Sequence, residues 1–280
     1  MDRGRSSTTG RRDYELVDRF RLEEGRVFLS GVQALARLPV DQLRADRRLG
    51  LTTAAFASGY QGSPVATFTE ELRRAAATTP DLPIIIRPGV NEELAATSVM
   101  GSQLAMTLDD ARYDGVVGVW YGKGPGLDRS SDAIRHAVFA GTSAHGGVVA
   151  VVGDDPAAKS STVPSSSDAT MVDLHMPILF PGDVQEALDL GRHAVALSRA
   201  CGLWAGVKLA KRPVGRGRPW ELLDDVHVRG IAPTGLGYPS GHAAISTALA
   251  LLLTSPGPTR CAALCTTALT GTARVYVGAH

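Results

Sequence analysis

The chain has 280 residues, 44% apolar and 20% charged, with a formal net charge of +1. That composition supports one large or two modest globular cores and excludes a disordered chain, and the near-neutral charge gives no electrostatic basis for binding nucleic acid. Three cysteines, Cys201, Cys261 and Cys265, are too few and too scattered for a disulfide framework, a zinc site or an iron–sulfur cluster, so they read as buried thiols.

Residues 1–12 are polar and carry Arg3, Arg5, Arg11 and Arg12 without the apolar run of a signal peptide. They read as a solvated, disordered tail at the start of a cytoplasmic protein. From residue 13 to about 210, short β-branched runs recur at 84–86, 116–120, 148–152, 178–180 and 204–209, each separated from the next by a turn and a helical stretch. Runs that are apolar on both faces belong in a parallel sheet covered by helices, so the fold class is α/β, a doubly wound parallel sheet. One covering helix spans 183–199, with Asp183 as its cap and Val184, Ala187, Leu188, Ala194, Val195 and Leu197 at helical spacing.

Ligands of such sheets sit at the carboxyl ends of the strands, and four turns there stand out. Residues 58–64 read SGYQGSP, where Gly59 and Gly62 let the backbone approach a ligand and Ser63 offers a hydroxyl. Residues 87–97 read RPGVNEELAAT and place Asn91 and Glu92 at the start of a helix of small residues, suited to close packing. Residues 121–132 read YGKGPGLDRSSD, a glycine-rich loop bearing Lys123 and Arg129 and opening a helix near Ser131. Residues 153–162 read GDDPAAKSST, with Asp154 and Asp155 at a strand end.

These runs, together with EEGRVFLSGVQALARLP from Glu23 and YDGVVGVW from Tyr113, resemble the indolepyruvate ferredoxin oxidoreductases, thiamine-diphosphate-dependent 2-oxoacid oxidoreductases. The resemblance covers 13–210 and implies the pyrimidine-binding domain of that family. It implies that a buried glutamate, Glu92 by motif position with Glu93 as the alternative, hydrogen-bonds the aminopyrimidine of thiamine diphosphate. It further implies a cofactor-binding role for Gly59 and Gly62, substrate contact for Ser63, and an anion- or partner-orienting role for Lys123 and Arg129. A complete enzyme of this kind also needs a partner domain that holds the diphosphate and Mg²⁺, and iron–sulfur clusters that pass electrons to ferredoxin; neither set of motifs is encoded in this chain. The partners expected are therefore a 2-oxoacid, a diphosphate-binding domain or ferredoxin oxidoreductase subunit, and a second copy of the chain. A non-catalytic association module is the alternative for this half.

Beyond Ala210 the strand–helix alternation stops, and residues 211–280 read as a short helical segment fused to the α/β unit. Three blocks resemble a truncated type 2 phosphatidic acid phosphatase: Lys211 with Arg218-Pro219, PSGH at 239–242, and Arg274 with His280. The resemblance implies phosphate binding by Lys211, Arg218, Ser240, Gly241 and Arg274, nucleophilic attack by His280 and leaving-group protonation by His242, a phosphomonoester hydrolase as the alternative activity. The sequence ends at His280, where the family has an orienting aspartate a few residues further on. The apolar runs 242–253 and 261–269 are shorter than the roughly 20 residues of a membrane span, and read as core helices or pieces of spans that leave membrane association open.

Overall fold

The computed structural model describes residues 14–156, 158 and 164–210. Six parallel strands form one sheet, β1 (Thr53–Gly59), β2 (Ile84–Ile86), β3 (Gly115–Lys123), β4 (Val148–Asp154), β5 (Ile178–Leu179) and β6 (Ala205–Ala210), in the order β2-β1-β3-β4-β6-β5. Helices α1 (Asp18–Arg21), α2 (Gly31–Arg48), α3 (Phe68–Thr78), α4 (Glu92–Leu104), α5 (Gly124–Arg129), α6 (Ser131–Ala140), α7 (Asp168–Asp173) and α8 (Val184–Cys201) connect and cover them.

The strands are buried on both faces because neighbouring residues point into different cores. Val117, Val119, Tyr121, Val149 and Val151 pack with α2, α3 and α8, while Trp120, Val148, Ala150 and Val152 pack with α4, α6 and the residues around α7. This two-sided cover is the doubly wound α/β arrangement that the apolar runs predict. The close packing expected of the small-residue helix is realised in α4: Ala95 and Ala96 are fully buried, and Gly118 of β3 leaves room for Val99, whose Cγ1 would lie 2.9 Å from a Cβ there.

Helix ends follow local chemistry. Ser30 Oγ accepts from the Gln33 amide while Gln33 Oε1 accepts from the Ser30 amide, a reciprocal cap on α2. Asp183 Oδ1 accepts from the Glu186 amide at 2.8 Å, as expected of a cap, and α8 ends on Gly202 at φ +73°. Val184, at the first position of α8, is nevertheless exposed, and so is Cys201 at the other end of α8, which corrects the expectation of a buried thiol there. The segment 121–132 is also not a loop. Strand β3 runs through Lys123 and α5 starts at once, since Pro125 in the first helical turn suits the fixed φ of proline.

At the amino edge of the sheet one buried ion pair ties α2, α8 and β1 together. Asp46, with no exposed surface, accepts from Arg199 through both of its oxygens at 2.8 Å, from Thr53 Oγ1 at 2.7 Å and from Gln42 Nε2 at 2.8 Å. Burial alone would push Asp46 up, but those hydrogen bonds and the Arg199 charge hold its carboxyl below the usual range. No helix among the described residues is long and apolar enough to cross a membrane.

Candidate functional site

The strand order places β1 between β2 and β3, and the two connections, α3 from β1 to β2 and α4 from β2 to β3, lie on opposite faces of the sheet. A crevice therefore opens at the carboxyl ends of β1 and β3, the switch point where ligands of open α/β sheets bind. A cleft of about 470 Å³ lies there, lined by Tyr60, Val90, Asn91, Glu92, Lys123, Pro125, Gly126 and Arg129. Three separate turns singled out by sequence meet in it.

Its floor is backbone in close contact. The Tyr60 amide donates to Tyr121 O at 3.0 Å and the Gly89 amide to Gly59 O at 3.0 Å, which draws the ends of β1 and β3 and the turn before α4 together. A Cβ on Gly59 would lie 2.1 Å from Tyr121 O, so this approach requires glycine. Gly62 leaves space for the stem of Lys123, whose Cδ would be 3.1 Å from a Cβ there. Thus Gly59 and Gly62 shape the wall, and neither is among the lining residues.

Glu92 opens α4 behind Asn91, whose Oδ1 accepts from the Leu94 amide at 2.8 Å. The Glu92 carbonyl accepts from the buried Trp120 indole at 3.0 Å, which fixes its main chain to β3. Its side chain is buried to 9% relative exposure in a gap made by two glycines. A Cβ on Gly126 would lie 2.4 Å from Glu92 Oε1, and one on Gly122 would lie 3.3 Å from its Cγ. Glu93, one residue on, is exposed. Lys123 is half-buried and Arg129 exposed, so the same cleft is lined by two cations and one carboxyl. Ser63 is half-buried beside the cleft instead of lining it; the Ser63–Pro64 bond is cis, and Pro64 packs on Gly153 at the end of β4, its Cδ 2.7 Å from where a Cβ would be.

Sequence reasoning did not single out Val90, Pro125 or Gly126 as site residues. Val90 and Gly126 each lie within a run that was noticed, but their part in the cleft comes from a contact between α4 and α5 that spacing along the chain does not encode. Asp154, at the end of β4, is 2% exposed; its Oδ2 accepts from the Ser167 amide and hydroxyl at 3.0 Å each and lies 3.3 Å from Lys208 Nζ. Burial raises its pKa, and the Ser167 and Lys208 interactions only partly offset that. Among the described residues no cluster of His, Cys, Asp or Glu has the makings of a metal site. The phosphatase-like residues Lys211, Arg218, Ser240, Gly241, His242, Arg274 and His280 lie outside the described residues, as do Cys261 and Cys265.

No protein-family profile matches the chain. It is similar to the indolepyruvate oxidoreductase subunit IorA of Pyrococcus abyssi, at 27% identity over 177 residues, which amounts to 63% of this chain and 24% of the relative. The chain thus spans about a quarter of the length of that relative, and is its distant homologue.

Proposed function

We propose that residues 13–210 form the pyrimidine-binding unit of a thiamine-diphosphate-dependent 2-oxoacid oxidoreductase, working with a partner domain or subunit that holds the diphosphate and Mg²⁺. The observation that carries this reading is the buried carboxyl of Glu92, held at the start of α4 in a glycine-lined gap of the switch-point cleft. The 27% identity to a subunit named for indolepyruvate oxidoreduction supports the reaction class, and the word subunit supports a partner.

The residues fit the cofactor's aminopyrimidine. A neutral heteroaromatic ring needs an apolar or glycine-walled slot and one carboxyl that shares a proton with a ring nitrogen, and the cleft offers Gly126, Pro125, Val90 and Glu92. When bound, the cofactor supplies the electron sink for cleavage of the 2-oxoacid. Glu92 would face the ring with its carboxyl and hydrogen-bond the ring nitrogen. Lys123 and Arg129, which line the same cleft, would bind the carboxylate of the 2-oxoacid. The exposed Tyr60, Val90 and Leu94 on the rim would meet the partner or a second copy of the chain.

The test is isothermal titration of the whole chain with thiamine diphosphate and Mg²⁺, alone and with a diphosphate-binding partner domain, in wild type and Glu92→Gln. Binding that needs the partner and weakens at least about tenfold in the variant supports the reading. If wild type with partner gives no heat, or if Glu92→Gln binds as wild type does, the cleft is not a thiamine half-site.

A further inference from the structure

Helix α5 is gripped by two buried carboxyls, one on each of two glycines. Glu92 presses on Gly126, as described. Asp154, from the end of the neighbouring strand β4, presses on Gly124, where a Cβ would lie 2.9 Å from Asp154 Oδ1 and 2.6 Å from Ser165 Oγ. The reading above uses the first contact and gives the second no task.

The second contact is rigidly built. Asp154 Oδ2 is held by Ser167 and by Lys208, whose nearer carboxylate is Asp168, while Lys208 Nζ also sits 5.2 Å from the centre of the Phe180 ring. The carboxyl therefore cannot turn without breaking bonds on β6 and at the start of α7. Among the described residues its Oδ1 is buried without a hydrogen-bond partner, and so is Ser165 Oγ. An unpaired buried oxygen is costly, so a side chain serving only to fill space beside Gly124 gains nothing from being a carboxyl held in this way. What the arrangement does achieve is a hard stop against the first residue of α5.

We infer that Asp154 is a positioning residue for Glu92: braced by Ser167 and Lys208, it fixes α5 at Gly124, so that Gly126 two residues later keeps open the gap that receives the Glu92 carboxyl. Six-residue α5 has little length of its own to hold it, and Asp154 abuts the β3–α5 junction at its first residue. Glu92, in turn, is tied by its carbonyl to Trp120, one strand position from Tyr121 and three from Lys123. Movement of α5 is thereby transmitted to the Glu92–Trp120 hydrogen bond. The inference concerns where Glu92 is held; only its bearing on cofactor affinity rests on the thiamine reading.

The experiment uses the whole chain labelled with ¹⁵N-tryptophan. The indole N–H of Trp120 donates to Glu92 O, so its resonance, assigned by its loss in Trp120→Phe, reports on Glu92 without any ligand. Asp154→Ala is expected to shift that resonance and to speed its solvent exchange about tenfold, a loss of local protection, while the Trp204 indole on the same face of the sheet stays put. Asp154→Asn, which keeps the shape and the acceptor for Ser167, is expected to restore the wild-type resonance. Gly124→Ala, which drives α5 away with Asp154 intact, is expected to reproduce the alanine effect. Should Asp154→Ala fail to fold, Gly124→Ala and Asp154→Asn decide alone. An unmoved Trp120 resonance in Gly124→Ala, or Trp204 moving as far as Trp120, overturns the inference. Titration of the same proteins with thiamine diphosphate, Mg²⁺ and the partner domain separates the two claims: a Trp120 shift with no wild-type binding leaves the positioning role and removes the thiamine reading, whereas wild-type binding that Asp154→Ala leaves unchanged, with Trp120 unmoved, does the reverse.

Discussion

Replacing Asp46 by alanine tests whether the scaffold under the cleft is held by one buried ion pair. The wild-type carboxylate accepts four hydrogen bonds between 2.7 and 2.8 Å, two of them from Arg199, whose side chain is 17% exposed. Removing one partner of a buried pair costs about 3–5 kcal/mol, and because Arg199 reaches some water and keeps its bond to Gly146 O, we expect the lower end, about 3 kcal/mol. Asp46→Asn retains the shape and part of the acceptor set and should lose about 2 kcal/mol. The sign with pH follows from the folded carboxyl titrating below its unfolded value: the stabilisation is complete above the ordinary carboxylate range, and is lost as pH falls through the depressed folded pKa. Urea unfolding followed by circular dichroism at pH 7 and in steps down into acid should therefore show a wild-type advantage that narrows in acid, while the Trp120 indole resonance, from the central strand β3, does not move. A difference under about 1 kcal/mol at pH 7, or one that does not narrow in acid, would refute the reasoning.

Two further outcomes follow from the cleft. Gly126→Ala places a Cβ 2.4 to 2.7 Å from three atoms of the Glu92 side chain, so the carboxyl must leave its gap; we expect a loss of about 1–3 kcal/mol in thermal melts, most of it recovered when Glu92→Ala is added, and additivity of the two changes would show that they do not touch. Asp154 has a folded pKa raised chiefly by burial, so the folded state keeps its proton longer than the unfolded chain and stability falls as pH rises through that window; Asp154→Asn should abolish this fall, gaining on wild type from about pH 4 upward, and parallel pH profiles would count against it.

The parts of the fold legible from sequence were those written in local pattern. The β-branched runs marked β2 through β6, and the Asp183 cap marked the start of α8. Strand β1 carries three alanines and a single large side chain, Phe56, so it has little of the β-branched character that identifies a strand; it is nonetheless central because Gly59, Tyr121 and the turn at Gly89 require it between β2 and β3. Three glycines and a proline made 121–132 look like a loop, yet two of the glycines are there to admit carboxyls from elsewhere and the proline starts a helix. Glu92 and Glu93 are the same residue type at the first two positions after the Asn91 cap. Only packing against Trp120, Gly122 and Gly126 distinguishes the buried one, and those partners lie some thirty positions away in sequence on a different strand and helix.

The cleft's shape is itself a consequence of topology. Helix α3, between β1 and β2, and helix α4, between β2 and β3, pack on opposite faces of the sheet, and the glycines where the ends of β1 and β3 meet the turn before α4 remove side chains that would otherwise fill the cleft. What results is an open cleft, with Glu92 buried and Tyr60, Val90 and Leu94 exposed to 46%, 84% and 52%. A planar ligand that needs contact on both faces gains little affinity from one wall, since the ordering cost of binding is met only when most of its surface is removed from water. The reading of this unit as half of a shared site thus has a physical reason beyond its likeness to a subunit: covering the rim residues and completing the slot are the same event. The titration with and without a diphosphate-binding domain should accordingly show the ligand and the partner each strengthening the other's binding by the same factor, as linkage requires.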